Sequence, residues 1–268
     1  MFGRLGYEAL GAANNNLGVL SEIVENLSNI KSIGYKKSQT TFVEALNGEI
    51  TRYQTRNHSQ GPLRKTGEAF DLALDGQGFF EIEMPNGQKA FTRAGRFGLN
   101  ADGELVTEEG YRILPQVEQV KSLLPTFPGK DQALNIEVTT PDKLIIPADL
   151  TPEITEDGTI NGINPQTNEK TKIGKVSVVV FNNVQGLESL GKGYYVQNSS
   201  SGQPIDIDPG HNRETKVKQG FLEFGNVDMA AEFMNLSQMK NVITAQMKVL
   251  KVLDKIYENV HYTISKNA

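Results

Sequence analysis

Apolar side chains recur every seven residues near the C-terminal end of the chain, and this is the strongest pattern in the sequence. No Gly or Pro interrupts the chain from Val227 to Ala268, so the pattern predicts one helix of roughly 35–40 residues beginning near Asn226. Such a helix is about 55 Å long. Its apolar positions form two columns that we interpret as an assembly surface: Met229, Leu236, Met239, Ile243, Leu250, Leu253, Tyr257, Val260 and Ile264.

A second apolar pattern, over residues 4–30, predicts a partner helix at the N-terminal end. Its apolar residues alternate at spacings of three and four: Leu10, Ala13, Leu17, Leu20, Val24 and Leu27. Because the two periods match, we expect the terminal helices to form a coiled-coil-like pair. The alternative is that each is an amphipathic helix packed on its own domain. Gly34 follows the last apolar positions and is a natural stop for the first helix.

Between the two ends, the period of apolar residues changes from that of a helix to that of a strand. Around Phe79–Met84, successive residues alternate between two faces, and Pro85–Gly87 then predicts a hairpin turn. A second hairpin is predicted around Asn100–Gly103. Repeated Asp-Gly and Asn-Gly turns favour an all-β central body. The predicted fold class is therefore α+β, with long N- and C-terminal helices and a central domain of β-hairpins.

These patterns divide the chain into four segments. We predict an N-terminal assembly helix over residues 1–34, an extended connector with little core over 35–69, a central β domain over 70–225, and a C-terminal assembly helix over 226–268. Within the β domain, residues 116–141 contain three prolines and are predicted to form an insertion or loop.

Composition excludes several classes of function. A net charge of −5 provides no basic field for nucleic acid, so we expect no nucleic-acid partner. The absence of cysteine excludes disulfides and thiolate metal sites. The N-terminal residues lack a continuous apolar stretch, and the longest apolar run, near Val178–Phe181, has the length of a strand. We therefore expect neither a cleavable signal peptide nor a membrane span.

No motif in the sequence predicts catalysis, a cofactor or a metal site. Asp75–Phe80 contains G-x-G, but Glu81 occupies the place of the third glycine in the dinucleotide fingerprint. His58, His211 and His261 are scattered without the spacing of metal ligands. The alternative class is an enzyme or binding module, a β domain with helical oligomerisation arms. A convergent polar pocket in the β body would favour that alternative.

Several stretches in order along the chain resemble the bacterial flagellar basal-body rod protein family. Asn26–Lys36 is similar to the family signature N-L-A-N-x-x-T-x-G-[FY]-[KR], and Asp71–Phe80 to D-[LV]-A-I-x-G-x-G-F-F. Phe91–Phe97 and then Asp102–Thr107 resemble Y-T-R-x-G-x-F followed by D-G-x-L-V-T. Gln219–Asp228 resembles Q-G-x-L-E-x-S-N-V-[DN].

The resemblance has departures. Gly225 replaces the usual Ser, which weakens an expected cap of the last helix, and the family's Q-R-A-Y motif is missing at Gln238–Val242. Phe181–Gly191 resembles the distal division of the family, whereas Gln246–Leu250 is closer to the proximal division. The choice between distal and proximal rod protein stays open.

The resemblance implies a structural, non-enzymatic subunit that polymerises through its terminal helices into a tubular shaft, which links the motor to the hook and transmits torque. It implies self-association, contact with other rod and hook proteins, export by the flagellar type III apparatus, and a location in the basal body. A hook-type axial protein is the alternative within this class. The expected N-terminal motif residues are Asn26, Leu27, Asn29, Gly34, Tyr35 and Lys36.

Overall fold

The computed structural model describes residues 2–44, 50–116, 143–210 and 215–266. Its helices are α1 (Phe2–Ser28) and α2 (Met229–Lys266), and a short 3₁₀ turn covers Val184–Gly186. The strands are β1 (Ser38–Glu44), β2 (Ile50–Arg56), β3 (Leu63–Lys65), β4 (Leu72–Asp75), β5 (Phe79–Glu83), β6 (Lys89–Thr92), β7 (Phe97–Leu99), β8 (Leu105–Thr107), β9 (Arg112–Ile113), β10 (Thr151–Ile154), β11 (Thr159–Ile163), β12 (Lys170–Lys175), β13 (Val178–Val180), β14 (Glu188–Gly191), β15 (Tyr194–Val196), β16 (Ile205–Ile207), β17 (Lys216–Gln219) and β18 (Phe221–Glu223). Apart from residue 116, the predicted insertion lies outside the described residues.

The chain divides into two compact units. The helical unit comprises Met1–Lys31, Lys36–Ser59 and Gly225–Ala268, and the β unit comprises Ser32–Tyr35 and Gln60–Phe224. The segment predicted as an extended connector contains strands β1 and β2, which pair antiparallel with Thr41 opposite Tyr53. The pattern of apolar and polar residues does not predict this two-stranded sheet.

The helical unit contains α1, α2 and the β1–β2 hairpin. Helix α1 contacts both α2 and β1, and it buries Ile23 and Asn26. Helix α2 is different, because no side chain between Phe233 and Asn259 is buried. Neither helix in the described part of the chain is both long and apolar enough to cross a membrane.

The predicted coiled-coil-like pair is wrong. A coiled coil inserts the side chains of both columns into holes on the facing helix and so removes them from water. Here Leu17 and Val24 of α1 are 52% and 49% exposed, and Met229 and Tyr257 of α2 are 48% and 46% exposed. The two helices touch, but the structure shows no long closed seam. The heptad period identified residues that share a helix face, and it carried no information about what covers that face.

The β unit is built on a nine-stranded sheet. Its main path runs β14-β15-β6-β5-β9-β8-β7, with β13 paired to β5 and β16 paired to β13. A three-stranded sheet, β10-β11-β12, and the pairs β17–β4 and β18–β3 complete the unit. The two predicted hairpins are present as β5–β6 and β7–β8, and Leu99 lies opposite Leu105 in the second.

Both faces of the central strand β5 are buried from Phe79 to Ile82. Phe80 and Ile82 point into the main core, where both are 0% exposed. On the other face Phe79 packs edge to face on Phe181 and Tyr195, with ring centroids 6.1 and 5.8 Å away. Glu81 is also buried on this strand. Its carboxylate accepts a hydrogen bond from the Ser177 hydroxyl at 2.9 Å and pairs with Lys89 at 2.8 Å.

Candidate assembly surfaces

The predicted assembly residues of α2 are half-buried or exposed. The half-buried ones are Leu236, Met239, Ile243, Leu250 and Leu253. Met229 and Tyr257 are exposed, and the side chains of Val260 and Ile264 lie outside the described residues. The assignment of these columns to assembly stays a prediction.

The predicted residues of α1 show the same incomplete burial. Ala13, Leu20 and Leu27 are half-buried, and Leu17 and Val24 are exposed. The side chain of Leu10 lies outside the described residues. Instead, α1 uses a neighbouring face to contact the hairpin: Thr40 donates its backbone N–H to Glu22 at 3.0 Å, and Arg56 pairs with Glu25 at 3.2 Å.

Helix α2 exposes far more apolar surface than its predicted columns account for. Ten large apolar side chains of this helix are between 38% and 69% exposed: Met229, Phe233, Met234, Val242, Met247, Val249, Val252, Ile256, Tyr257 and Tyr262. Scattered exposed apolar residues are normal on a protein surface, but a concentration of this kind on one element is typical of interaction sites.

The side-chain amide of Asn26, in the N-terminal motif, forms two hydrogen bonds with the backbone of Ser38. Its amide Nδ2 donates to the Ser38 carbonyl at 2.9 Å, and its Oδ1 accepts the Ser38 N–H at 2.9 Å. This pair of bonds fastens α1 to the start of β1, and both residues are buried. Leu27 is half-buried, and Asn29 donates its side-chain amide to the Glu25 carbonyl at 2.9 Å at the end of α1.

A second polar junction surrounds the start of α2. Asn226 accepts the Lys37 N–H at 2.7 Å, and its amide donates to the carbonyls of Asn57 and Ser59 at 2.8 and 3.0 Å. The fully buried Lys36, another motif residue, also donates to the Ser59 carbonyl, at 2.7 Å. The junction therefore joins three separate stretches of the helical unit.

The α2 cap is formed by Asp228. Its Oδ1 accepts the N–H groups of Ala230 and Ala231 at 2.9 and 3.2 Å, as an N-cap residue does. The expected weakening at Gly225 therefore does not occur. A Cβ on Gly225 would lie 2.8 Å from the Asn29 carbonyl oxygen, so its lack of a side chain permits close packing. Beyond the cap, the buried Glu232 pairs with Lys37 at 2.6 Å.

The remaining motif residues, Gly34 and Tyr35, lie in the β unit, and Tyr35 is buried. Gly34 lies beyond the end of α1 at Ser28, so the sequence prediction that it stops the helix does not describe its role. It has a left-handed φ of 66°, and a Cβ there would lie 2.3 Å from the backbone nitrogen of Ala94. Its N–H donates to the Glu223 carbonyl at 2.8 Å.

Arg93 and Glu223 form a buried ion pair in the β unit. Their side chains are 4% and 1% exposed, and Arg93 Nη1 lies 3.3 Å from the Glu223 carboxylate. Arg93 also donates to the Gly76 carbonyl at 2.8 Å, and Glu223 accepts the Gly61 N–H at 2.8 Å. Burial lowers the pKa of the Arg93 guanidinium, and the Glu223 carboxylate opposes that change. The pair therefore connects three loops of the unit.

A polar recess in the β unit is closed by its own ion pairs. It is lined in part by Glu83, Glu104, Arg112 and Lys143. Arg112 pairs with Glu83 at 2.9 Å, and Lys143 pairs with Glu104 at 2.6 Å. Within the described ranges, no group of three or more His, Asp or Glu side chains is placed to hold a metal ion. The recess therefore does not provide the convergent pocket that would favour a binding module.

Four polar residues of these contacts are not predicted from the sequence: Arg93, Glu223, Asn226 and Glu232. The first three lie inside the quoted family-like stretches Phe91–Phe97 and Gln219–Asp228. A charged or amide residue inside an otherwise apolar or glycine-rich stretch was the available signal. Glu232 had no such signal, because a Glu in the first turn of a helix is usually explained by the helix dipole.

Comparison with known proteins finds similarity along nearly the whole chain. The sequence-family model described as flagellar hook protein FlgE/F/G D1 domain matches residues 73–162. The flagellar basal-body rod protein FlgG of Buchnera aphidicola is 27% identical over 275 residues, covering 94% of this chain and 95% of the relative. FlgG of Agrobacterium fabrum is 29% identical over 272 residues, covering 92% and 93%. The flagellar hook protein FlgE of Brucella abortus is 31% identical over 121 residues, covering 41% and 30%.

Proposed function

Because this chain belongs to the bacterial flagellar basal-body rod protein family, we propose that it is a structural subunit of the rod, the shaft that links the motor to the hook. Membership of the family confirms the prediction of a structural, axial flagellar protein without an enzymatic role. It also supports a location in the flagellar basal body and association with other axial proteins.

The subunits polymerise through their terminal helices into a tube. One observation carries this proposal: α2 is 38 residues long, yet no side chain from Phe233 to Asn259 is buried. A long helix with this much exposed apolar surface gains most of its stability from packing against partners. Neighbouring copies of the subunit supply those partners, and the resulting helix packing lets the tube transmit torque.

Export and assembly follow from the same property. A helical unit with little burial of its own is only weakly stable as a monomer, so it unfolds readily for passage through the flagellar type III export apparatus. It then becomes fully ordered when neighbouring subunits cover its apolar side chains. The two rod relatives named above each cover more than 90% of this chain, whereas the hook relative covers 41%. This difference favours a rod subunit over a hook subunit.

Deletion of the coding sequence in the source bacterium tests the proposal. A rod subunit is required before the hook can be built, so the deletion strain should form neither hook nor filament. Electron microscopy of isolated basal bodies would then show a missing or shortened rod. A complete rod that lacks a hook would instead identify a hook-type protein.

Purified full-length protein provides the second test. Under concentrated, assembly-promoting conditions, negative-stain images should show tubes or filaments. Only discrete particles at every concentration, together with normal motility of the deletion strain, would contradict the proposed function.

A further inference from the structure

The outward face of the β1–β2 hairpin carries six exposed side chains, none of them charged. Three directly opposed pairs form it: Gln39 with Thr55, Thr41 with Tyr53, and Val43 with Thr51. We call these six residues the hairpin face. Val43 and Tyr53 are 47% and 54% exposed.

The opposite side of the hairpin is engaged in part by α1, and Phe42 on that side is 46% exposed. Thr40 bonds to Glu22 and Arg56 pairs with Glu25, both on α1, and a Cβ on Gly18 of α1 would collide with the Arg52 guanidinium. By contrast, in the described part of the chain the hairpin face makes no hydrogen bond or ion pair beyond the hairpin itself. An isolated two-stranded hairpin is marginally stable in water. A face of β-branched and aromatic residues is well suited to packing against another element.

Helix α2 carries an uncovered stripe with the same character. Its five residues follow spacings of three and four and are all exposed and uncharged: Val242, Ala245, Val249, Val252 and Ile256. We call these residues the α2 stripe. Val242 and Val249 directly precede the half-buried residues Ile243 and Leu250. Neighbouring residues of a helix point in different directions, so the stripe occupies a different face from that half-buried column.

We propose that the hairpin face of one copy packs on the α2 stripe of a second copy of this chain. The proposal rests on the proposed function and names one pair of surfaces through which the subunits polymerise. Burying a charge without a partner is costly, so two uncharged exposed surfaces suit each other. The stripe is also large enough to cover the hairpin face, which is about 13 Å long on two strands about 4.8 Å apart. One helix, about 10 Å wide, with a stripe about 21 Å long, covers it.

The arrangement explains why the contact builds a polymer. The two surfaces are different parts of the same chain, so the contact between copies is heterologous. A heterologous contact leaves one free surface of each kind at the two ends of every assembly, and repeated addition gives a ring or an open helical filament. An isologous contact between two hairpin faces would stop at a dimer.

Disulfide cross-linking of assembled protein tests this contact. The chain has no cysteine, so Tyr53→Cys and Val249→Cys each introduce the only thiol of a subunit. One variant carries a mass tag, the two are mixed and assembled, and the assemblies are oxidised. We expect a disulfide-linked dimer of one tagged and one untagged chain to form. When either variant is assembled alone, we expect no cross-linked dimer. Thr167→Cys, in an exposed turn of the β unit, replaces Tyr53→Cys in the matched control and should give no dimer with Val249→Cys.

The outcomes separate this inference from the proposed function. Self-dimers of Tyr53→Cys, or tubes that give no mixed cross-link, would overturn the hairpin-to-stripe contact and leave the proposed function standing. If wild-type protein forms no tubes under any condition and the deletion strain swims normally, the proposed function fails and the inference fails with it.

Discussion

The two units of this protein use apolar residues in opposite ways. In the β unit, side chains such as Phe80, Ile82 and Ile160 are completely buried. In the helical unit, α2 exposes residues such as Phe233 and Val249, each by 55%. Both units have the periodic apolar pattern of their secondary structure. The comparison indicates that the apolar pattern of the β unit builds an internal core, whereas the apolar pattern of α2 leaves side chains exposed for contact with partners.

The polar contacts of the two units differ as well. The β unit buries a full ion pair, Arg93 with Glu223. The helical unit orders the end of α1 and the start of α2 with the amide groups of Asn26 and Asn226, which bond to backbone atoms. Its ion pair between Lys37 and Glu232 is less buried, because Lys37 is 20% exposed. The amide hydrogen bonds fix local geometry, but each contributes only about 0.5–1.5 kcal/mol. The backbone of the helical unit is therefore fixed by hydrogen bonds near its polar junctions, and few buried contacts stabilise the rest of the unit.

Replacing an apolar residue by Asp should affect folding in the β unit and assembly in the helical unit. Ile160→Asp places a charge in the β core, where the residue is 0% exposed, so we expect the β unit to unfold, with a loss above about 4 kcal/mol. Leu250→Asp, on α2, should leave the thermal melting of the β unit unchanged and abolish assembly. Circular dichroism measures the first effect, and sedimentation with electron microscopy measures the second.

Asn241→Asp is the matched control, because Asn241 is an exposed polar residue of α2. It should assemble like the wild type. If Leu250→Asp assembled normally, or if it unfolded the β unit, the assignment of assembly to α2 would be wrong.

Removing one member of the buried ion pair should strongly destabilise the β unit. Arg93→Met leaves the Glu223 carboxylate buried without its cation, at an expected cost of about 3–5 kcal/mol in the free energy of unfolding. Urea unfolding followed by circular dichroism measures this change. Arg96→Met is the control, because Arg96 and Glu108 form an exposed pair at 3.4 Å, and we expect it to cost less than about 1 kcal/mol. Equal costs for the two variants would show that the buried pair has no special role.

Gly34 should be sensitive to substitution because of its contacts in the β unit. Gly34→Ala combines a left-handed φ with a Cβ placed 2.3 Å from the Ala94 nitrogen, so the backbone must move. We expect a loss of about 2–3 kcal/mol in the free energy of unfolding. Gly87→Ala has a φ of 78° with nothing within 4 Å of its Cβ, so it should cost only about 1 kcal/mol. A similar loss for both variants would assign the whole effect to backbone conformation.

The sequence predicted best where local chemistry decides the structure. The turn at Asn100–Gly103 contains Gly103 with a φ of 77°, and β7 and β8 pair across it. The long C-terminal helix followed from an uninterrupted heptad pattern. The burial of its columns could not be predicted, because periodicity identifies side chains on one face and says nothing about the surface opposite.

The hairpin β1–β2 was missed for a different physical reason. Its α1-facing side carries mainly polar residues, such as Ser38, Thr40 and Gln54, and its outward face carries several threonines. Apolar and polar residues therefore do not alternate along either strand.

The candidate site was predictable only in part. The residue types in the family-like stretches are visible in the sequence, but the pairing of Arg93 with Glu223, 130 positions apart, depends on tertiary structure.

The smallest expected effect is a pH-dependent contribution from Asp157 in the β unit. Burial alone would raise its pKa, but hydrogen bonds from Thr155 and Thr159 and the nearby Lys175 outweigh burial and lower the pKa to about 2. A carboxylate whose pKa is lower in the folded than in the unfolded state stabilises the fold above about pH 4, and this stabilisation disappears as the pH falls through about 2. Asp157→Asn should therefore reduce the free energy of unfolding near pH 7 by less than about 1 kcal/mol, because the side chain is partly exposed and solvent screens its interactions. The difference from wild type should shrink steadily in urea unfolding curves recorded from pH 5 down to pH 2. Asp102→Asn, in an exposed turn, is the matched control and should give little difference at any pH, whereas a constant Asp157→Asn difference down to pH 2 would contradict the role of the Asp157 charge.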